Sequence, residues 1–255
     1  MRLGMDPEVF LKDKSGKHLS VVGMIGANKW APMQIPDMDK GFTLQEDNVA
    51  LEFGTPPASN ADEFVFNTRA VMLAGLSKLK GKRFSRLSCT IFDEDQMQSP
   101  EAHVFGCEPD FNAWTKMEND KPTPPHPFMR SAGGHVHIEL PEGFTQEDQV
   151  NVIRACDLFL GVPSVLLDSG THRRQLYGKA GAFRPKSYGV EYRTLSNFWI
   201  FKKHLTRWVW SQAERALAAN MKEVEFFGDE IQYAINEGHK PTAQWLVDQF
   251  NMELA

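Results

Sequence analysis

GGHVHIEL, residues 133–140, places two histidines at alternate positions of an apolar run that follows a pair of glycines. Successive side chains of a β-strand point to opposite faces, so this spacing predicts a strand with His135 and His137 on one face. The paired glycines allow backbone or substrate to approach closely. Alone, the motif is compatible with a metal-binding pair and with two hydrogen-bonded structural histidines.

Three other strand-like stretches place polar or ionisable residues two apart. They are GMDPEVFL (4–11) with Asp6 and Glu8, LQEDNVALEF (44–53) with Glu46, Asn48 and Glu52, and YGVEYRTL (188–195) with Glu191 and Arg193. On one sheet, the four sets would line a single surface with acids, imidazoles and a guanidinium. Carboxylates about 4 Å apart repel by roughly 4 kcal/mol at an effective dielectric near 20, so the acids must protonate, pair with bases or bind cations.

Each set also has a purely structural interpretation. Asp6 and Glu8 are compatible with the solvent face of an edge strand, and Glu191 with Arg193 is compatible with a salt-bridged face. Glu52 lies opposite the predicted core face of its strand, and that opposite face can simply be hydrated. Coincidence is less expected in all four sets than in any one of them, which favours a functional site.

The residue types favour one class of cation. Carboxylates with an occasional imidazole suit Mg²⁺ or Mn²⁺, whereas structural zinc prefers clustered cysteines. Cys89, Cys107 and Cys156 are too far apart in sequence for a C-x-x-C site, and their odd number does not suit a disulfide framework. Cys107 has no recognisable nucleophile context, so we expect it to be a buried structural thiol.

A basic, glycine-containing stretch, HRRQLYGKAGAFRPK (172–186), precedes the last of these strands. Its cations are Arg173, Arg174, Lys179, Arg184 and Lys186. Arginine can bind phosphate oxygens bidentately, and metals with guanidinium groups recur in phosphoryl-transfer sites. The alternative is a solvated basic loop. The sequence has no G-x-x-x-x-G-K-[ST] motif, so we do not expect a P-loop to hold a nucleotide.

Composition restricts the class of protein. The chain has 255 residues, a formal net charge of −5 and a pI of about 5.9. These values oppose general binding to nucleic acid or to an anionic membrane, so neither is expected as a partner. Because no signal-peptide h-region or long uncharged apolar stretch is visible, we expect a cytoplasmic protein. The sequence does not define the oligomeric state.

Strand and helix patterns interleave without the short β-α-β rhythm of a doubly wound sheet, which predicts an α+β fold with an antiparallel sheet. Strands are predicted over residues 3–11, 42–54, 86–92, 131–140 and 187–195, with a hairpin turn at 13–16. Helices are predicted from a capping box at 60–63, over 145–162 and 201–222, and twice more towards the C-terminus. The irregular segment 106–130 is long enough to indicate a functional loop.

GMDPEVFL, QEDNVALEF, FGCEPDFNAW, GGHVHIEL and FRPKSYGVEYRTLSNFW, in this order and spacing, resemble the phage- and bacteria-encoded carboxylate–amine ligase (amidoligase) family. That family belongs to the glutamine synthetase and glutamate–cysteine ligase superfamily. The resemblance implies a single domain, residues 1–255, with a motif-bearing core (1–200) and a helical C-terminal part (201–255). It also implies a curved antiparallel sheet that forms a funnel, with helices packed on its outer face.

The reaction implied by the resemblance is ATP-dependent amide formation through an acyl phosphate. ATP and Mg²⁺ (or Mn²⁺) are the implied cofactors, and a small-molecule or peptide carboxylate and an amine are the implied substrates. If the chain is phage-encoded, its expected location is the host cytoplasm. The sequence does not identify the acid or the amine.

The resemblance also assigns roles to individual residues. The implied metal ligands are Asp6, Glu8, Glu52, His135 and Glu191, with Glu46 and Asn48 as candidates on the same face. His137 is assigned to the nucleotide phosphates, Arg193 to the transferring phosphoryl group, and Arg184 and then Lys186 to further phosphate contacts. The implied catalytic set is Arg193, Arg184 and Glu52. Asp6 departs from the glutamate of larger synthetases, which shortens the reach of that ligand.

Other classes of protein share parts of this pattern. A phosphoryl transferase of the guanidino-kinase type shares the fold in outline. A metal-dependent hydrolase would account for the histidines and acids but not for the basic stretch. A non-catalytic phage protein on the same fold would bind ATP weakly or not at all.

Overall fold

The computed structural model of the chain describes residues 1–103 and 110–255. Within these ranges the strands pair antiparallel and the helices follow mainly in the second half, which confirms the predicted α+β class. Residues 105–109 of the FGCEPDFNAW motif, including Cys107, lie outside the described residues, so the expectation of a buried thiol at Cys107 stays a prediction.

The strands are short. They are β1 Leu3–Met5, β2 Glu8–Val9, β3 Leu11–Lys12, β4 His18–Leu19, β5 Met33–Gln34, β6 Thr43–Asp47, β7 Ala50–Gly54, β8 Arg83–Phe84, β9 Cys89–Ile91, β10 Phe111–Asn112, β11 Met117–Glu118, β12 Met129–Ser131, β13 Val136–Glu139, β14 Ala182–Lys186 and β15 Gly189–Tyr192.

The described strands form four sheets, whereas one curved sheet was predicted. The largest has six strands in the order β1-β13-β15-β14-β10-β11, and a second has four in the order β2-β7-β6-β5. Smaller sheets pair β4-β3-β8 and β12-β9. The predicted strand 3–11 is therefore divided among three sheets. Pro7 lies at the first break, where its missing N–H cannot continue a ladder.

The predicted strand 42–54 is a hairpin, and this corrects the predicted faces. Asn48 has a φ of 55° in the turn between β6 and β7, and Gln45 pairs with Glu52 in the resulting register. Directly opposed residues share a face. Asp47 and Glu52 therefore lie on one face, and Glu46, which pairs with Leu51, lies on the other.

The helices follow the predicted pattern closely. They are α1 Ala61–Lys78, α2 Pro100–His103, α3 Gln146–Cys156, α4 Val162–Leu167, α5 Lys203–Leu217, α6 Met221–Phe226, α7 Gly228–Asn236 and α8 Lys240–Gln249. Asn60 caps α1 by accepting from the Glu63 N–H, and Thr145 with Asp148 forms a capping box on α3. Three short helices, rather than the predicted two, follow α5.

Helices α3 and α4 are joined by a π-helical segment, Asp157–Gly161, into one apolar helix that underlies the six-stranded sheet. The helix Gln146–Leu167 is long and apolar enough to cross a membrane by composition alone, but 72% of its most apolar window is buried within the fold. This burial is typical of a core helix in a soluble protein. Its π segment places Asp157 beneath the strands that carry the candidate site.

Candidate functional site

The six-stranded sheet brings together the histidine motif and the Glu191 motif. In this register, Glu191 on β15 lies directly opposite His137 on β13 and opposite Arg184 on β14. Asp6 follows β1, which is the other neighbour of β13. Strand pairing therefore places His137, Arg184 and Glu191 on adjacent strands, with Asp6 beside them. Glu8 and Glu52 lie on a different sheet.

The centre of the site is formed by Asp6, His137 and Glu191, each of which offers a ligand atom within 4.8 Å of the other two. Asp6 Oδ2 lies 3.1 Å from His137 Nε2, and Asp6 Oδ1 lies 3.1 Å from His135 Nδ1. Burial raises the pKa of Asp6, but the charges of His137 and His135 and their hydrogen bonds outweigh burial and hold it well below its usual range. Asp6 is therefore an ionised carboxylate.

Three cations surround Glu191, whose side chain is fully buried. Lys186 Nζ lies 2.7 Å from Oε2, Arg184 Nη1 lies 3.5 Å from Oε1, and Arg193 also contacts Oε1. Burial and the charge of Asp6 raise the pKa of Glu191, but Arg193 and the two histidines outweigh them and lower it to about 2. The three predicted phosphate-binding cations are thus gathered around one carboxylate.

A second acidic group lies on the four-stranded sheet. Glu8 on β2 pairs in register with Glu52 on β7, and Asp47 shares the face of Glu52. Burial and the charge of Asp47 raise the pKa of Glu8 to about 7. Burial and the charges of Asp6, Asp47 and Glu8 raise the pKa of Glu52 well above its usual value. A bound cation would favour the ionised forms of these carboxylates.

Asp47 is a candidate that the two-residue spacing did not identify. Burial raises its pKa, while the nearby charge of Lys29 lowers it. Its signal in the sequence is the Asp47-Asn48 pair, since aspartate and asparagine favour turns and asparagine tolerates a positive φ. Recognising that turn would have placed Asp47, rather than Glu46, beside Glu52.

Glu46 lies apart from both acidic groups in its contacts. Its carboxylate accepts hydrogen bonds from the backbone N–H groups of Gly23, Ile25 and Gly26, at 2.9, 2.6 and 2.9 Å. Three such bonds fix the loop that precedes β5. This geometry gives Glu46 a structural use and lends no support to its predicted role as a metal ligand.

The two histidines differ in environment. His135 is 3% exposed, and burial and the charge of Arg193 lower its pKa to about 4, so that its imidazole is neutral. For His137, burial lowers the pKa, but the charge and the hydrogen bond of Asp6 raise it by more than burial lowers it, so the net shift is upward. Both imidazoles contact Asp6, and His137 completes the three-residue centre. The division of roles between His135 and His137 implied by the resemblance stays a prediction.

Gly133 and Gly134 have a steric reason for their place in the motif. A Cβ on Gly133 would lie 2.2 Å from His135 Nε2, and one on Gly134 would lie 2.3 Å from the Ser196 carbonyl oxygen. The Gly133 N–H also donates to Glu8 Oε2 at 2.8 Å. The glycine pair therefore lets the chain pass between the two acidic groups, in agreement with the predicted close approach.

Arg173 and Arg174 are buried, and the alternative of a solvated basic loop is wrong for them. Arg173 donates to the carbonyl oxygens of Thr194 and Arg193, at 2.9 and 3.0 Å. Arg174 donates to the Ser164 carbonyl oxygen at 2.9 Å. Arg173 thus fixes the backbone that carries Arg193.

The long segment 106–130 reaches the site through Asp110, and its last residue, Arg130, lines the cavity at this site. Asp110 Oδ2 lies 3.5 Å from Arg193 Nε, so the segment reaches the guanidinium that the resemblance assigns to phosphoryl transfer. Strands β10 and β11 extend the six-stranded sheet from the same segment. These contacts are compatible with the predicted functional loop.

Asp157 is a buried acid beneath the site that sequence patterns did not identify. Its carboxylate accepts from Trp114 Nε1 at 2.7 Å and the Gly181 N–H at 2.5 Å on one oxygen, and from the Tyr192 hydroxyl at 2.8 Å and the Thr194 hydroxyl at 3.3 Å on the other. Burial raises its pKa to about 7 despite these hydrogen bonds. Asp157 ties the core helix to the strands that carry Arg184 and Glu191.

Asp157→Asn is expected to weaken the pH dependence of stability. In the folded chain Asp157 keeps its proton up to about pH 7, so its contribution is complete below about pH 4 and is lost as pH rises through 7. This loss is roughly 3 kcal/mol between pH 5 and 8. An asparagine oxygen can accept from Trp114 and Gly181, and its amide can donate to the two hydroxyls. Urea unfolding of both proteins at pH 5 and 8 measures the difference, and equal pH dependence would contradict the prediction.

A cavity of about 850 Å³ is lined by the second acidic group and by Asp6 of the first, whereas His137, Lys186 and Glu191 do not line it. The predicted site residues that line it are Asp6, Glu8, Glu46, Glu52, His135, Arg184 and Arg193. Asp47, Lys29 and Arg173 line it as well. The cavity therefore combines acids from both groups with cationic side chains.

The donor atoms fit a hard divalent cation. His137 Nε2 is buried beside Asp6 and Glu191, and it lies 3.1 Å from Asp6 Oδ2. Burial and neighbouring carboxylates raise the pKa values of Glu8 and Glu52. Carboxylates with one imidazole are a ligand set for Mg²⁺ or Mn²⁺. Asp6, His137 and Glu191, with Glu8 and Glu52 beside them, are therefore suited to hold such an ion.

The fold and the site together define an α+β protein with an acid, imidazole and guanidinium cluster in an open cavity. The chain belongs to the phage phiEco32-like COOH.NH2 ligase-type 2 family, whose model matches residues 124–255, just over half of the chain. This match confirms the resemblance to the amidoligase family. The match includes His135, His137 and the Glu191 motif, and it begins after Asp6, Glu8 and Glu52. No curated protein matches the sequence.

Proposed function

We propose that this protein is an ATP-dependent carboxylate–amine ligase that forms an amide through an acyl phosphate. Its family name indicates a carboxylate–amine ligase. The observation that supports the finer proposal is the arrangement around Glu191, where Arg184, Lys186 and Arg193 meet the carboxylate that also faces Asp6 and His137. Cations beside a candidate divalent-metal site are the recurring parts of phosphoryl-transfer sites.

Amide formation proceeds in two steps. A carboxylate oxygen of the acid substrate attacks the γ-phosphorus of ATP, and ADP leaves. The amine nitrogen then attacks the acyl carbon, inorganic phosphate leaves with the electron pair of the C–O bond, and the amine gives up a proton. A bound Mg²⁺ or Mn²⁺ would supply neutralisation of the polyphosphate charge.

The residues of the chain have separate roles in these steps. Arg184 and Lys186 bind phosphate oxygens, and Arg193 stabilises the charge that grows on the transferring group. The residues that would hold the divalent cation are Asp6, Glu8, Glu52, His135, His137 and Glu191. We assign to Glu52 the role of taking the proton of the amine, because a raised pKa makes a carboxylate a stronger base than an ordinary glutamate. We place this activity in the cytoplasm, and the host cytoplasm if a phage encodes the chain.

Hydroxylamine is expected to replace the natural amine. An acyl phosphate reacts with small accessible nucleophiles, so ATP, Mg²⁺, the correct acid and hydroxylamine should yield a hydroxamate in step with ADP release. We would screen glutamate, short glutamyl peptides and mixed cell-wall peptides as acids. A chelator should abolish both signals. His135→Ala should lose both, whereas the exposed His204→Ala on α5 should retain them.

The same assay separates the other classes. A phosphoryl transferase of the guanidino-kinase type would consume ATP and give a stable phosphorylated product without hydroxamate. A metal-dependent hydrolase would turn over without ATP. Tight ATP binding with no hydroxamate from any acid in the panel would contradict the ligase proposal and indicate a nucleotide-binding role. Weak or absent ATP binding would indicate the non-catalytic phage protein.

A further inference from the structure

Tyr188 occupies the tight turn that joins β14 and β15, next to the candidate site. Its carbonyl oxygen accepts from the Leu140 N–H at 3.0 Å. The following residue, Gly189, packs so closely on β13 that a Cβ there would lie 2.1 Å from the Ile138 carbonyl oxygen. The backbone of the turn is therefore fixed against the strand that carries His137.

The side chain of Tyr188 lies over the imidazole of His137. The two rings are stacked, with centroids 6.1 Å apart and an interplanar angle of 21°, and the tyrosine hydroxyl contacts Nδ1. The opposite nitrogen, Nε2, is buried and lies 3.1 Å from Asp6 Oδ2. One nitrogen is thus engaged by the hydroxyl, and the other faces the acids.

The hydroxyl can set the tautomer of the imidazole. A neutral imidazole carries one N–H, so a nitrogen that donates to a neighbour leaves the other with a free lone pair. Metal-binding histidines usually donate their second N–H to a fixed oxygen, which orients the ring and makes the ligand nitrogen more basic. The hydroxyl oxygen of Tyr188 is such an acceptor for Nδ1–H.

We propose that Tyr188 is a positioning residue whose hydroxyl oxygen accepts Nδ1–H of His137 and keeps the Nε2 lone pair directed at the centre formed with Asp6 and Glu191. This inference rests on the divalent-metal site of the proposed function. It adds a residue that neither the motif spacing nor the family resemblance assigns. It also gives a physical reason for a tyrosine in the β14–β15 turn.

Tyr188→Phe tests the proposal because it keeps the stacked ring and removes the hydroxyl. Tyr188 is 41% exposed, so the variant should fold normally. Titration of the full-length protein with Mn²⁺, followed by electron paramagnetic resonance of the free ion, is expected to show 10- to 100-fold weaker binding in the variant. Tyr233→Phe is the matched control, since Tyr233 is 49% exposed and lies beside His239 on the C-terminal helices. The control should bind Mn²⁺ as the unmodified protein does.

A second measurement separates positioning from a general structural effect. Long-range ¹H–¹⁵N spectra of the Mg²⁺-saturated proteins should show the Nδ1–H tautomer of His137 in the unmodified protein and a loss of that preference in Tyr188→Phe. Equal Mn²⁺ affinities for both proteins would overturn the role of Tyr188 and leave the metal site intact. No Mn²⁺ binding by the unmodified protein would overturn the metal site and this inference with it.

Discussion

Arg193→Lys is expected to lower kcat by about 100- to 1,000-fold, which corresponds to roughly 2.7–4 kcal/mol of lost transition-state stabilisation. Arg193 is 3% exposed, contacts Glu191 through Nη1 and lies 3.5 Å from Asp110 through Nε. A lysine ammonium cannot reach both carboxylates or reproduce a two-pronged contact to a phosphoryl group. The loss should therefore fall on kcat rather than on KM, because the contact strengthens as charge grows on the transferring group.

The measurement is steady-state ADP release with an acid that yields hydroxamate. Arg207→Lys is the control: Arg207 pairs with Asp62, its side chain is 51% exposed, and both residues lie on helices outside the cavity. That variant should keep its kcat. If Arg193→Lys keeps a near-normal kcat, Arg193 has no part in phosphoryl transfer and its contact with Glu191 is structural.

The sequence predicted which residues form the site better than it predicted how those residues are arranged. The two-residue spacing correctly predicted that His137 and Glu191 project from strands, because side-chain alternation is local. Their direct opposition depends on the pairing of β13 with β15 across more than fifty residues. No pattern within either motif sets that register. The resemblance, rather than the spacing, brought the motifs into one site.

Local turn chemistry explains the main errors. The hairpin turn at Asn48 inverted the face predicted for Glu46 and concealed Asp47. The break at Pro7 separates β1 from β2, which lie in different sheets, so Asp6 and Glu8 belong to different acidic groups. In both places the alternation of apolar residues continues in the sequence although the backbone changes direction. Pattern alone does not show such a change, although Asn and Pro at these positions indicate it.

Tyr188 and Asp157 were missed for different reasons. Tyr188 lies in a turn, where alternation has no meaning, and its contact with His137 depends on packing between strands. Asp157 lies inside an apolar helix, where one acid reads as a minor interruption of the pattern. Its four donors come from residues 114, 181, 192 and 194, which only the folded chain brings together.

Glu191→Gln and Glu52→Gln are expected to abolish activity alike but to change stability in opposite directions. The folded-state pKa of Glu191 is lowered to about 2, so its stabilisation is present above its unfolded pKa and is lost as pH falls through about 2. At pH 7 the glutamine variant should lose roughly 3 kcal/mol of unfolding free energy. It would leave Arg184, Lys186 and Arg193 without their shared carboxylate.

Glu52 has the opposite sign because its folded-state pKa is raised by burial and by three neighbouring acids. Its ionisation opposes folding once the pH exceeds its unfolded pKa, so Glu52→Gln should raise the unfolding free energy at pH 7 in the absence of metal. Its glutamine oxygen can still accept from Gln45, which donates to Glu52 Oε2 at 2.8 Å.

Urea unfolding at pH 7 with a chelator measures both changes. Glu214→Gln, an exposed position on α5, is the control and should stay within about 0.5 kcal/mol of the unmodified protein. Added Mg²⁺ should stabilise the unmodified protein and should stabilise neither glutamine variant to the same extent, because each has lost a proposed ligand. Two variants that destabilise equally would contradict this electrostatic division. Glu52 would then stabilise the fold. The proposal instead requires that its buried charge lowers stability and is kept because the reaction needs a cation beside it.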